Sequence, residues 1–336
     1  MNIWTYILKR LLLMILVLFG VACIVFFIAH VIPADPISAM LGGNAPDDVI
    51  KRVEAQLGYD QPLIIQFYNF ISGAIVGDFG LSLRTNNPVM QDINNYFPAT
   101  LELTIFAILI STILGIVLGV LSAVHRNKMI DHFSRIFSII GVSMPVFWTG
   151  LLLLLLFYYR LDWLPAAGRL EFFTLPPDHI TGMYLVDSLL TGNWEVFKDA
   201  LRHIILPAFC LGFLATASIA RTTRASMLDV LKQEYITTAK AKGLKKKVVI
   251  NRHALRNSLI PTITIIGLTF GSLLEGAVLT ETVFSWPGLG RYITQGLLFL
   301  DYNSVMGGTL YIAFVYSIAN LVVDILYAVL DPRMRT

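Results

Sequence analysis

The chain has 336 residues, 56% of them hydrophobic and 14% charged, with a mean hydropathy of +0.71. Water-soluble domains carry about a quarter charged residues, and one soluble core of this length has no room for so much apolar surface. Lipid is therefore the solvent for most of the chain, and the net charge of +3 matters through its placement rather than its sum.

A helix that crosses a bilayer needs roughly 20 apolar residues, because hydrocarbon offers its backbone no hydrogen bonds. The first such run, 11–32, follows Lys9-Arg10 as a signal peptide would. It is longer than a signal core and ends at His30 and Pro33 without a small-residue cleavage site, so it reads as a retained helix. The loop 33–100 comes next. In it, Asp47 to Leu57 places Ile50, Val53 and Leu57 on one stripe opposite Asp48 and Arg52, which predicts a short amphipathic helix. Leu63 to Val76 is apolar, too short to span, and carries Phe67, Tyr68 and Phe70, which suit the membrane interface.

Further spans are predicted at 101–124, 136–159, 204–220, 259–281 and 304–330. Pro145 predicts a kink in the third, where Gly141 and Gly150 permit close packing. Between the third and fourth, the loop 160–203 opens on Trp163-Leu164-Pro165 and contains Pro176-Pro177, so irregular backbone is expected. The fourth span is the weakest, with Pro207 near its start and Arg221 closing it. Cys23 and Cys210 lie inside apolar runs and read as small packing residues, with no metal site implied. The fold class is thus an all-α membrane protein of six transmembrane helices forming a single domain over 1–336.

Lysine and arginine counts orient it. Segments 1–10, 125–135, 221–258 and 331–336 hold 17 Lys/Arg against 4 Asp/Glu, whereas 33–100, 160–203 and 283–303 hold 8 against 14. The first set is expected to be cytoplasmic, with both termini inside and the two long loops facing out.

The largest inner loop, 221–258, has ten Lys/Arg. Met227, Leu228, Leu231, Tyr235, Thr238 and Ala239 recur at helical spacing, Gly243 breaks the pattern, and a second helix starts near Lys245 and runs towards Ser258, ahead of Pro261. Lys240 and Lys242 face the negative end of the first helix. Positive-inside anchoring to headgroups accounts for Lys245-Lys246-Lys247. It does not account for the small residues Thr237-Thr238-Ala239-Lys240-Ala241 running up to a glycine, a surface that another protein can approach closely.

Intramembrane charge costs ~2.5–3.5 kcal/mol on insertion scales and must face protein or water. Glu275, deep in the fifth span, is a candidate for the translocation pathway, and Ser143 and Pro145 of the third span are further candidates; for Glu275 a carboxyl held at an interface with another subunit is the alternative. Asp324 is expected to pair with a basic residue such as Arg221 or Arg224, and Glu102 and Glu281 to take structural or capping roles at hydrated span ends. Enzyme chemistry finds no support: HExxH, G-x-S-x-G, the phosphate-binding G-x-x-x-x-G-K-[ST] and a spaced cysteine–histidine pair are all missing from the sequence. A self-contained secondary carrier or channel is the rival reading, although no internal repeat supports a carrier. A purely structural scaffold would not require the small-residue loop.

The stretch Glu234-Tyr235-Ile236-Thr237-Thr238-Ala239-Lys240-Ala241-Lys242-Gly243-Leu244, followed by His253-Ala254-Leu255-Arg256-Asn257 and Pro261, resembles the coupling motif of binding-protein-dependent ABC importer permeases, above all the dipeptide/oligopeptide/nickel branch. The resemblance extends through Ile32-Pro33-Ala34-Asp35-Pro36, Gly77-Asp78-Phe79-Gly80-Leu81-Ser82, Pro98-Ala99-Thr100-Leu101-Glu102-Leu103, Ser143-Met144-Pro145-Val146-Phe147-Trp148, Thr280-Glu281-Thr282-Val283-Phe284-Ser285-Trp286-Pro287-Gly288-Leu289-Gly290 and Asp331-Pro332-Arg333. The long first outer loop is similar to that of the B-type subunit. One departure is that Thr237-Thr238-Ala239 stands where the general motif has Glu-Ala-Ala, so no carboxylate at 237 meets an ATPase.

The resemblance implies a type I importer permease fold in a bacterial inner membrane. It implies a heterodimer with a second homologous permease, two cytosolic ABC ATPases that bind ATP and Mg, and a periplasmic or extracellular peptide-binding protein. No cofactor on this chain and no nucleic acid are implied. Glu234, Tyr235, Thr238, Ala239, Ala241, Lys242, Gly243 and Leu244 would couple to an ATPase. Short peptides are the expected cargo, since no span carries a His/Met/Cys cluster suited to a naked metal ion; nickel chelates and glutathione remain alternatives within the same architecture.

Overall fold

The computed structural model describes residues 3–31 and 46–330 of the chain. Ile32 to Pro36 and Asp331 to Arg333 lie outside the described residues. In chain order the helices are α1 (Ile3–Val31), α2 (Asp47–Leu57), α3 (Leu63–Val76), α4 (Val89–Val124), α5 (Met129–Ser143), α6 (Val146–Arg160), α7 (Tyr184–Leu190), α8 (Trp194–Val230), α9 (Glu234–Ala241), α10 (Lys246–Val283), α11 (Leu289–Leu298) and α12 (Tyr302–Leu330). Two of them contain a π-helical stretch, Leu154–Arg160 at the end of α6 and Val249–Ala254 near the start of α10.

Among the described residues, five helices are long and apolar enough to cross a membrane: Ile7–His30 within α1, α4, α8, α10, and Tyr302–Ile325 within α12. The predicted third span is a broken one. Met144 is extended (φ −87°, ψ 130°), as the residue before a proline must be, and the axes of α5 and α6 diverge by 115°. Pro145 supplies no N–H to carry the ladder across. What the sequence reads as a kink is therefore a full break, and six spans are reached when the bent pair is counted as one.

The described residues fall into two compact units. The first joins the chain up to Thr100 with Ser285 onwards. Here α1 lies along α12, and Phe26, Ala29, Tyr302 and Met306 form a core on which Phe67 and Phe70 of α3 pack. Arg10 of α1 meets Asp324 of α12 at 3.0 Å. Asp324 thus takes a partner from the helix beside it, not the expected Arg221 or Arg224. Trp286 is buried and donates from Nε1 to the Ala99 carbonyl, while the Leu289 N–H donates to Thr100 Oγ1, so the Trp286-to-Leu289 turn sits on the first third of α4.

The second unit, Leu101–Phe284, is organised around α8, whose most apolar window is 78% buried. Ser111, Gly115 and Gly119 form a row of small residues on α4, four apart, and α8 lies close against it. A Cβ on Gly115 would stand 2.6 Å from the Ile219 side chain, and one on Gly119 2.7 Å from the Ala220 carbonyl. Ser111 Oγ donates across the contact to the Gly212 carbonyl at 2.8 Å. Close approach of this kind is how helices associate where no hydrophobic force drives them together. Gly141 of α5 packs on Ala217 and Phe213 in the same way, and Gly150 of α6 on Val283, Phe284 and Cys210.

Candidate functional site

After α8 ends at Val230, three residues turn the chain into α9. Two side chains of α9 face its own protein: Ile236 (0% exposed) and Ala239 (6%) enter a cluster with Ala123, Met227, Val249 and Ala254. Glu234, Tyr235, Thr237, Thr238, Lys240 and Ala241 face outwards. The helix then stops in a Schellman arrangement. The Gly243 N–H donates to Lys240 O (3.0 Å) and the Leu244 N–H to Ala239 O (3.4 Å), with Gly243 at φ 74°. Such a left-handed conformation suits glycine because it has no Cβ to strain. Space around Gly243 is open, since a Cβ there would meet nothing within 4 Å.

Of the predicted coupling residues, the structure brings Glu234, Tyr235, Thr238, Ala241, Lys242, Gly243 and Leu244 to one exposed helix and its end, and turns Ala239 inwards. Tyr235 Oη accepts from Asn257 Nδ2 at 2.8 Å, tying α9 to α10. The predicted second short helix is the beginning of α10, and passes through its π-helical stretch into the fifth span without a break. α9 is therefore packed directly on a candidate spanning helix through Val249, Ala254 and Asn257. Ile236 and Met227 anchor α9 to the end of α8. The stripe read from the sequence (Met227, Leu228, Leu231, Tyr235, Thr238 and Ala239) missed Ile236, and two of its members, Tyr235 and Thr238, are exposed.

Within the last two turns of α8, Arg224 donates from Nε to Asp131 Oδ1 (2.7 Å) and from Nη2 to Oδ2 (3.0 Å), and Ser122 Oγ donates to the same carboxylate. This bidentate clamp joins α4, α5 and α8, with Arg224 lying at the start of the 221–258 segment. Beside it lies a groove of about 430 Å³ lined by Ser134, Ser138, Ser143, Arg135, Arg221 and Arg224, among others.

Ser143 and Pro145 flank the break between α5 and α6, and both are exposed. Glu275 is exposed as well, on a stripe of α10 that includes Leu268, Ser272, Leu279 and Thr282. A stripe that places a carboxylate among hydroxyls at membrane depth is unsuited to acyl chains and fits a protein or aqueous neighbour. The opposite face, with Gly271, Leu274, Ala277 and Glu281, is buried. Glu275 and the Ser143–Pro145 corner are separate features of the surface, and no hydrogen bond or ion pair joins them.

Glu102 and Glu281 are drier than their places at span ends suggest, both being buried. Glu102 accepts from Arg169 Nη2 at 2.6 Å and from the Leu185 N–H at 2.7 Å. Arg169 also donates to the Gly182 carbonyl and stacks 3.5 Å over the Tyr184 ring. Asp187 accepts from the N–H groups of Ile180, Thr181 and Gly182 and from Thr181 Oγ1. Burial pushes its carboxyl upwards, but these bonds outweigh burial and hold it below the usual carboxylate range.

Residues 3–104 match the family described as "Binding-prot-dependent transport system membrane comp, N-term", and residues 115–336 match "Binding-protein-dependent transport system inner membrane component". The chain is 47% identical to a probable D,D-dipeptide transport system permease protein of Escherichia coli K12, over 99% of this chain and 98% of that one. It is 43% identical to a dipeptide transport system permease protein of Alkalihalophilus pseudofirmus, over 98% and 99%. Against a glutathione transport system permease protein of Escherichia coli O1:K1 it is 39% identical over 98% of each chain. An exposed short helix that ends on an open glycine, a mixed polar stripe along a spanning helix and two family matches over residues 3–104 and 115–336 converge: the chain belongs to the inner-membrane components of binding-protein-dependent transport systems.

Proposed function

We propose that the chain is one of two permeases in an ATP-driven importer and passes short peptides across the bacterial inner membrane. The observation that carries this reading is α9, which is anchored by Ile236 and Ala239, exposes the rest of its surface and stops at a glycine with open space around it. In this reading α9 seats in one of two cytosolic ATPases, which hold the ATP and Mg; the permease itself binds no cofactor. Closure of the ATPases on ATP favours the outward-facing state by binding nucleotide more tightly there, a population shift transmitted through α9 to α10. Charge placement sets both termini and the 221–258 segment in the cytoplasm, and the 33–100 and 160–203 loops where an external binding protein delivers cargo. The pathway forms against the second permease, with Glu275 facing the peptide ammonium. Peptide cargo is supported by the dipeptide systems to which the two relatives of highest identity cited above belong.

The test is reconstitution of the chain with its native neighbours in liposomes that contain ATP, with uptake of labelled dipeptides, glutathione and a nickel chelate compared in the presence of the loaded binding protein. ATP-dependent dipeptide uptake that survives collapse of ion gradients is the expected result. Uptake by the chain alone, driven by a gradient, would sink the importer reading; preference for glutathione or the chelate would overturn only the cargo.

A further inference from the structure

The groove between α5 and α8 has the chemistry of a binding site in its own right. It offers about 430 Å³, within the range of pockets that hold small ligands. Ser134, Ser138 and Val142 line it at four-residue spacing along one face of α5, and Arg221 and Ala225 do so along α8. Asp131 meets Arg224 at one end of the helix pair, and Gly141 packs on Ala217 and Phe213 further along, so the two helices run antiparallel. Arg135 and Arg221 therefore share a level beside that ion pair. Ile139 and Val142 lie beyond them, away from the 125–135 and 221–258 loops.

The charges of the groove do not cancel. None of the described residues that line it is acidic. Asp131 is fully buried, and its oxygens accept from Arg224, Ser122 and the Asn127 N–H. That pairing neutralises Arg224 and leaves Arg135 and Arg221 in excess. Arg221 is exposed and makes no hydrogen bond or ion pair with a described residue. Arg135, exposed as well, donates from Nη2 to His132 Nδ1 at 2.7 Å and has further N–H groups to give. Ser134 is 3% exposed, yet its hydroxyl lines the groove and has no partner among the described residues.

Two guanidiniums and a buried hydroxyl donor suit an oxyanion. The rest of the lining decides which one. A short peptide would bring an ammonium group as well as its carboxylate, and the lining has no acid to receive it. Free phosphate would leave Ile139 and Val142 uncovered, and both are exposed. A phospholipid uses both ends, with its phosphate at the charged level and an acyl chain along the apolar one. Charge placement sets the charged level at the cytoplasmic face, where basic pockets between spanning helices hold anionic headgroups.

We propose that this groove binds one anionic phospholipid, its phosphate held by Arg135, Arg221 and Ser134 and an acyl chain laid on Ile139 and Val142. The bound lipid would brace the first half of the broken span against α8, close to where α8 turns into α9.

The experiment is native mass spectrometry of the complex purified with its native neighbours and stripped of lipid in mild detergent. The probes are phosphatidylglycerol, phosphatidylcholine and glycerol phosphate. The unsubstituted complex should retain one more phosphatidylglycerol than the complex carrying both Arg135→Gln and Arg221→Gln, and affinity at that site should fall about tenfold in either single variant. Both side chains are exposed, so the lipid-free melting temperatures should agree. Lys247→Gln, an exposed charge outside the groove, should leave retention unchanged. Equal retention of phosphatidylglycerol with and without the two arginines would overturn the site, as would phosphatidylcholine held as tightly. Displacement of the lipid by an equal concentration of glycerol phosphate would reduce it to a free-phosphate site. Unchanged lipid binding in the double variant, with altered uptake of a dipeptide relative to its C-terminal amide, would assign the groove to the cargo instead.

Discussion

Arg169 and Glu102 illustrate how a polar residue near a membrane is settled by its neighbours. Both side chains are buried, and between them they engage Leu185, Gly182 and the Tyr184 ring. Removing one partner of such a pair strands the other, at about 3–5 kcal/mol. Glu102→Ala should therefore lower the melting temperature of the detergent-purified protein markedly, by a scanning fluorescence assay, while an exposed control such as Glu195→Ala should not. Asp187 adds an acid dependence. Its folded carboxyl titrates below the unfolded value of about 3.9, so the folded state holds fewer protons there; its stabilisation is complete above that pH and is lost as the pH falls through the lower folded value. Melting followed from pH 7 to pH 3 should show this loss in the unsubstituted protein and a shallower one in Asp187→Asn. Neither network was legible in the sequence. Glu102 and Arg169 are 67 positions apart, and a carboxylate at a span end looks hydrated until the loop that covers it is known.

Helices were legible to the extent that their periodicity or punctuation was local. The amphipathic stripe of Asp47–Leu57 and the apolar run of Leu63–Val76 end at glycines, and their bounds match the folded ones. The fourth span was read at 204–220, and the helix that contains it runs from Trp194 to Val230, because hydropathy marks only the apolar stretch and α8 carries its polar residues into protein contacts. The helix before Gly243 was read as one pattern from Met227 to Ala239, whereas the chain turns at 231–233 and α9 starts at Glu234; the break at Gly243 was signalled by the sequence and the fold shows it. The inward face of α9 was harder to see, since Ala239 is small enough for either side. Replacing Gly243 separates two effects. Gly243→Ala bears only the left-handed strain of about 1–2 kcal/mol and should retain most transport. Gly243→Trp sets an indole on the open side of the stop; membrane insertion should be intact and uptake in liposomes blocked. Normal uptake by a stably inserted Gly243→Trp would remove α9 from coupling.

At the scale of the whole molecule, family membership was written along nearly the full length, and cargo was not. A peptide ammonium held by Glu275 would be worth about 1.5–3 kcal/mol, a tenfold to hundredfold effect. Glu275→Gln should accordingly reduce uptake of a dipeptide far more than uptake of its N-acetylated form. Equal reduction of the two would assign the carboxylate to subunit contact instead. The sequence located Glu275, and the fold adds that its stripe is open to a neighbour while Glu281, six residues on, is enclosed.

The 115° break between α5 and α6 has a consequence for the life of the polypeptide before it works. Each half is 15 residues long, about 22 Å of helix, against a hydrocarbon thickness of about 30 Å. Backbone groups at a helix end buried in hydrocarbon must be covered by protein or reached by water. The corner at Ser143 and Pro145 is uncovered on the single chain, so a newly made copy enters the bilayer with a raw polar notch. A copy made in excess over a partner that covers the notch should then be degraded by membrane proteases; pulse–chase labelling of the chain expressed alone and with its neighbours checks this, with equal lifetimes counting against it.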